Sequence, residues 1–353
     1  MKRLAQAILG LGISAVALWL TLRGKDLGGI WAAMRQADYR ALPAYVAILL
    51  AIHLVRTWRW GILLEPVARI PFGRLNAVSA VGFMALMILP FRLGEFARPY
   101  LIAERPNLRV SSALSSIVVE RVVDGIFTGL LLVVALLGIP DVTPGVHAVR
   151  VGGVIILAAW IALLAFLVVA YLSRALAVRI VRRLLTPISA RGAERAASML
   201  DAFIHGLRMF PGRGKLALFF GLTVAYWGLN AWGMQLLARG FGFELGSVAA
   251  CTLLGILVVG VMIPAGPGMV GTFQGAIVLG LSLFAPRALV ATSGVAYANV
   301  LWAAQLVQIS ALGIAYLFSP HVKVSRLWGA GSQLGEELDE EETEYRAAGD
   351  GSG

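Results

Sequence analysis

Cysteine is nearly absent from this chain of 353 residues: Cys251 stands alone, so no intramolecular disulfide can form and no Cys/His metal spacing exists. Histidine is scarce as well. His53, His147, His205 and His321 are scattered, without the His-Glu-x-x-His spacing of a zinc hydrolase, and neither a metal nor another cofactor is expected. A nucleophile elbow and a Gly-Lys-Ser/Thr phosphate loop are both missing. These absences exclude the common soluble-enzyme chemistries, and no catalytic residue is assigned. Charge is the largest deficit: 14% of residues are charged against 59% hydrophobic, and the mean hydropathy is +0.82.

What fills the space is apolar sequence, in segments near 4–22, 42–64, 75–103, 112–139, 149–172, 216–238, 247–285 and 291–318. Several reach the ~20 residues that a helix needs to cross a bilayer. The chain reads as an all-α polytopic membrane protein. Ala15-Val-Ala17 resembles a signal-peptidase site, but the apolar run continues to Leu22, which favours a retained first helix.

The net charge of +11 is unevenly placed. Glu336 to Asp350 holds eight of the 19 acids, leaving 29 bases against 11 acids elsewhere. In a membrane protein the positive-inside rule accounts for such an excess, and no nucleic-acid partner is expected. The connector 173–215, with nine bases and two acids, is placed in the cytoplasm. Within it Arg174, Arg179, Arg182 and Arg183 interleave with Leu176, Ile180, Leu184 and Leu185, the pattern of a basic helix on a membrane surface. A second helical stretch runs from Ala193 to Leu207.

With the connector inside, both ends of 75–103 fall in the cytoplasm and both ends of 247–285 outside. Each segment must enter and return, with breaks at Pro90 to Gly94 and at Pro264 to Gly271, where proline and glycine interrupt a helix. The expected architecture is about six spanning helices plus two re-entrant hairpins, in two halves of opposite orientation (about 1–145 and 146–320), as in an inverted-topology repeat. The loop 23–41 is expected outside, and the acidic tail 321–353 reads as disordered.

Charge inside these segments is the functional signal. Leu89-Pro-Phe-Arg-Leu-Gly-Glu-Phe-Ala-Arg-Pro99 carries Arg92, Glu95 and Arg98; Glu120-Arg-Val-Val-Asp124 adds Glu120, Arg121 and Asp124. An ionisable side chain at membrane depth costs roughly 2.5–3.5 kcal/mol on insertion scales, so six facing lipid would cost about 15–20 kcal/mol. They must face a protein interior or a watery cavity. On one helix Arg92, Glu95 and Arg98 would share an arc of about 120°, and paired guanidiniums suit phosphate; a buried ion-pair network that only fixes the hairpin is the alternative. Glu120 and Asp124 share a helix face and repel unless a cation, a proton or an arginine intervenes; Arg121 and the hairpin arginines are the natural partners, and one of the two carboxylates is a candidate proton carrier. The second hairpin carries no charge: Pro264, Gly266, Pro267, Gly268, Gly271 and Gln274 offer backbone approach to a ligand or close helix packing. Arg56 and Arg59, beside Trp58 and Trp60, read as snorkelling side chains in an aromatic belt.

Pro90 to Arg98, Glu120 to Asp124 and Pro267-Gly-Met-Val-Gly-Thr-Phe-Gln274 together resemble three signatures of the lysylphosphatidylglycerol synthase transmembrane region, the flippase-like domain family of bacteria and archaea. The resemblance spans nearly all of residues 1–320 and implies a lipid-handling domain. Arg92, Glu95, Arg98, Glu120, Arg121 and Asp124 match the family's site, whereas Met269 and Gln274 stand where Gly and Glu are expected. Only 33 residues follow Pro320, so the aminoacyltransferase domain of the full synthases has no expected counterpart. The resemblance implies a flippase of the cytoplasmic membrane, both termini inside, moving a phospholipid or an isoprenoid-linked lipid. The alternatives are a membrane-embedded transferase acting on a lipid-linked substrate and a lipid-presenting partner of an envelope-synthesis enzyme; self-association into a homo-oligomer is a further partner expectation.

Overall fold

The computed structural model describes residues 26–89, 94–103, 110–139, 145–187, 212–263 and 265–322, with the single positions or short runs 12, 15–19, 21, 23–24, 108, 189–190, 193 and 200. Among the described residues all regular structure is helical. The first apolar segment, the second connector helix and the acidic tail fall largely or wholly outside them, as do Arg92 and Pro264.

Chain order gives α1 (Leu27–Gln36), α2 (Leu42–Leu64), α3 (Phe72–Ile88), α4 (Ala97–Ile102), α5 (Val110–Leu137), α6 (Val146–Leu172), α7 (Arg174–Leu185), α8 (Arg213–Arg239), α9 (Ser247–Met262), α10 (Thr272–Leu281) and α11 (Arg287–Leu317). The stretch 23–41 is therefore not a loop: its apolar positions form α1, which packs on α11. Among the described residues four helices, Tyr39–Leu64, α6, α8 and α11, are long and apolar enough to cross a membrane. With 28 residues α5 is long enough as well, but it carries Glu120, Arg121 and Asp124. Apolar α6 buries little beyond Val146, Gly153, Leu167 and Ala170, so only lipid can solvate its outer face. The protein is a multi-pass integral membrane protein. Basic α7 follows α6 directly and tucks Ala177 against it, leaving Leu176 and Leu184 exposed.

α3 and α9 have 17 and 16 residues, about 25 Å each at 1.5 Å per residue, and their return legs α4 and α10 are shorter still. Neither return leg spans ~30 Å of hydrocarbon. Both hairpins close through glycine. A Cβ on Gly94 would lie 2.0 Å from Leu86 N and 2.4 Å from Ala85 O, so the chain turns directly against the α3 backbone. In the second hairpin the space beside Gly260 is filled by the Ala276 side chain and that beside Gly280 by the Leu253 side chain. Small residues let helices approach where lipid gives no hydrophobic drive to associate.

The packing between halves is reciprocal. α2 lies along α8, α3 along α11, and α9 along α5. Gly233 touches Tyr45 at one end of the α2–α8 contact, and Lys215 pairs with Glu65 at the other, so those two helices are antiparallel. The ends of α2 and α11 and the starts of α3 and α8 share one face, where Val322 packs with Leu64 and Leu75.

Gly94→Ala is expected to lower stability by about 3 kcal/mol or more, the upper end of overpacking costs, because the obstacle is backbone. Gly152→Ala, with nothing within 4 Å of the new methyl, should be neutral or slightly stabilising. Thermal unfolding in detergent checks both, and a wild-type melting curve for Gly94→Ala would contradict this hairpin closure.

Candidate functional site

Two side-chain contacts set the register of α2 on α5. Trp60 Nε1 donates to Ser116 Oγ at 3.0 Å, and Arg59 Nη2 donates to Asp124 Oδ1 at 2.6 Å. Glu120 and Asp124, one turn apart on α5, thus meet one guanidinium from α2, with Arg59 Nη2 also 3.6 Å from Glu120 Oε1. Glu120 is fully buried and takes two further partners, Arg98 Nη1 at 3.1 Å and Arg121 Nη2 at 3.0 Å. Asp124 adds Arg121 Nη2 at 3.7 Å and accepts from Trp227 Nε1 at 3.2 Å. The like-charge repulsion between the two carboxylates is met by arginines from three helices.

Aromatic rings cover the faces of these guanidiniums. Arg98 lies 5.1 Å from the Trp60 ring centroid and 4.5 Å from that of Phe83; Arg59 lies over Tyr226 and Phe219. Arg56, one turn before Arg59, stacks on Phe83 at 3.4 Å. Such contacts contribute about 2 kcal/mol or more when desolvated. Arg56 makes no ion pair or hydrogen bond among the described residues. Among the described residues four arginines thus face three carboxylates, Glu95 included, one positive charge in excess.

That excess borders a cavity of about 370 Å³ between the two halves. Arg56, Glu95, Arg121 and Asp124 form its charged end, and Asn230 and Gln305 also line it. The remaining wall is apolar: Phe83, Leu86 and Met87 of α3, Leu254, Leu257, Val258 and Val261 of α9, and Trp160 of α6. Both hairpins contribute, the second through Met269 and Phe273.

In the second hairpin Gly268 (φ 71°), Met269 (φ 53°) and Gly271 (φ 86°) adopt left-handed conformations. For Met269 that costs about 1–2 kcal/mol. Trp302 Nε1 donates to Gly268 O at 2.7 Å, and Gln274 Oε1 accepts from Gly271 N at 2.7 Å, capping α10. Gln274 Nε2 reaches Asn299 Oδ1 at 3.4 Å.

The profile of the lysylphosphatidylglycerol synthase TM region matches residues 7–313. The chain belongs to that family. A UPF0104 membrane protein of Methanothermobacter thermautotrophicus is 24% identical over 301 residues, which is 79% of this chain and 85% of that protein. The family is described by the membrane region of a lipid synthase, which makes this chain a membrane domain of a lipid-related family.

Within this family member, the six charged residues expected from sequence divide. Glu95, Arg121 and Asp124 reach the cavity wall; Arg98 and Glu120 are buried behind it; Arg92 lies outside the described residues. Glu95 sits in a 3-10 turn over 94–96 that precedes α4, where Arg98 lies, so these two do not share one regular α-helix. Gly266, Pro267, Gly268, Gly271 and Gln274 shape the second hairpin without lining the cavity. Two residues read as snorkelling are neither at the surface nor idle: Arg59 is fully buried on Asp124, and Arg56 faces the cavity. The available signal was spacing, since 56, 59 and 60 share a helix face that would place Arg59 and Trp60 opposite α5. The left-handed φ of Met269 gives the physical reason for the glycine expected there.

Removing one partner from a buried pair leaves an uncompensated charge, costing about 3–5 kcal/mol. Arg59→Met should therefore unfold at markedly lower temperature than wild type, and Arg59→Met with Asp124→Asn should recover part of the loss. Arg56→Met should lose clearly less than Arg59→Met, giving up its stacking on Phe83 but leaving no carboxylate unpaired. Equal losses for Arg56→Met and Arg59→Met would contradict this division.

Proposed function

We propose that the protein binds the anionic headgroup of a membrane lipid at the charged end of its central cavity and moves that lipid between leaflets, without chemical turnover and without an ATPase of its own. The observation that carries this reading is the two-part character of a cavity lined by both hairpins. Arg56 and Arg121 supply donors to a phosphate, for which the guanidinium fork is suited. Glu95 and Asp124 supply acceptors for hydroxyl or amine groups on the same headgroup. The α3 and α9 walls supply an apolar surface on which a chain rests.

Arg98, Glu120 and Arg59 hold this pole in place from behind. Their ion pairs fix α4, α5 and α2 against one another, so the cavity arginines need not reorganise when an anion arrives. The volume lies within the 300–1,000 Å³ or so typical of small-molecule sites. It suits a headgroup with the start of its chains. A phospholipid and an isoprenoid phosphate share the phosphate that this pole would recognise.

Native mass spectrometry of gently extracted protein tests the reading. A defined anionic lipid should copurify with wild type and with Arg40→Gln, a change at an exposed side chain. Its occupancy should fall about 10-fold or more in Arg56→Gln and in Arg121→Gln, as expected for a lost charge-assisted hydrogen bond. An identical lipid pattern in all four proteins would overturn the assignment of the pole as a headgroup site.

A further inference from the structure

A buried imidazole stands next to this pole and takes no part in it. His53 of α2 is 8% exposed, and its Nε2 lies 2.9 Å from Asn76 Oδ1 on α3. Asn76 Nδ2 donates to Tyr316 OH of α11 at 2.7 Å. With the amide so oriented, Oδ1 accepts from His53 Nε2–H, and the imidazole lone pair resides on Nδ1. The three residues come from helices of both halves. Tyr316, half-buried, belongs to the end of α11, near the face where Gly73 and His321 approach.

The surroundings of His53 are simple. α3 brings Asn76 and the edge of Phe83, whose ring centroid lies 6.1 Å away, and α11 brings Tyr316 through Asn76. None of these is charged at neutral pH. The charged group that acts on the ring is Arg56, one turn along α2. Arg56 in turn feels Glu120, Asp124, Arg121 and Tyr226, but it pairs with no carboxylate among the described residues. Glu120 and Asp124, the acids first expected to carry a proton, are both engaged by arginines.

We propose that His53 is a proton-binding site coupled to cavity occupancy, so that an anionic lipid and a proton bind together. This rests on the reading of Arg56 as a headgroup ligand. Imidazole is the side chain whose ordinary titration falls between about pH 5 and 8. Like charges one turn apart on a helix repel, so the Arg56 cation opposes a second cation at His53. A phosphate on Arg56 offsets that repulsion. The added proton, taken from water, goes to Nδ1 and leaves the Nε2–H bond to Asn76 intact. Linkage is reciprocal: if the lipid favours the proton, the proton favours the lipid, and a proton gradient can drive the lipid's movement.

Calorimetric titration of the purified full chain tests this, using dioctanoyl phosphatidylglycerol, dioctanoyl phosphatidic acid and farnesyl phosphate in buffers of different ionisation enthalpy. At least one should bind wild type with net proton uptake on the acid side of neutrality, where the lipid-bound protein holds the proton and the free protein does not. Its affinity should rise about 5-fold or more between about pH 8 and about pH 5.5, within the usual range of coupling factors. His53→Gln, which keeps a donor toward Asn76, should bind the same lipid and lose both the uptake and the pH dependence. Uptake that persists in His53→Gln, or binding to wild type without uptake, overturns the coupling and leaves the headgroup site standing. If no probe binds wild type, or binding survives Arg56→Gln, the headgroup site fails and the coupling with it. Nitrogen-15 histidine NMR gives a check free of any variant. The chain has four histidines, and one imidazole should change from neutral to charged when lipid is added at fixed pH; four unchanged imidazoles would overturn the proposal.

Discussion

The structure depends on neutralising charge where no water is available to solvate it. Glu120 is completely buried in the middle of an apolar bundle, and an isolated carboxylate there would carry a desolvation penalty of several kcal/mol. Three arginines from α2, α4 and α5 answer it. Because each comes from a different helix, satisfying one carboxylate fixes three elements at once. The Trp60–Ser116 bond and the aromatic faces of Trp60, Phe83 and Tyr226 complete that register.

This arrangement separates support from presentation. Arg59, Arg98 and Glu120 face one another and are closed to the cavity, whereas Arg56, Arg121, Glu95 and Asp124 stand on its wall. The second half supplies no charge to the site. It supplies α9 as an apolar wall, the Met269–Phe273 corner, and the aromatic and amide side chains of α8 and α11. The two parts of the chain contribute differently to the cavity, one its described charged side chains and the other much of its apolar wall.

Much of this could be read from the sequence, for identifiable reasons. Long apolar runs interrupted by Pro90 and Gly94, or by Pro267 and Gly268, are incompatible with continuous helices, and hairpins follow. Glu120 and Asp124 four apart call for a cation, a proton or an arginine between them, and Arg98 and Arg121, nameable from sequence, are among the arginines that pair with them. The partner from α2 was harder to see. Arg56 and Arg59 stand toward a helix end beside tryptophans, and in one dimension that pattern is identical to an aromatic belt with snorkelling arginines. Only the packing of α2 on α5 and α8 distinguishes the two. The inward and outward roles of Glu95 and Arg98 depended on a 3-10 turn that composition does not signal. α1 was hidden in a short segment whose charges suggested a loop, since its apolar face is defined by contact with α11 rather than by length.

The most direct test of the account is transport itself, measured by dithionite quenching of NBD-labelled phosphatidylglycerol in vesicles containing the purified protein. Wild type should expose inner-leaflet label far faster than protein-free vesicles, and Arg56→Gln should return the rate to the protein-free level while still showing a cooperative melting transition above the assay temperature. A folded Arg56→Gln protein that moves the lipid at the wild-type rate would contradict the claim that the headgroup travels through this charged pole.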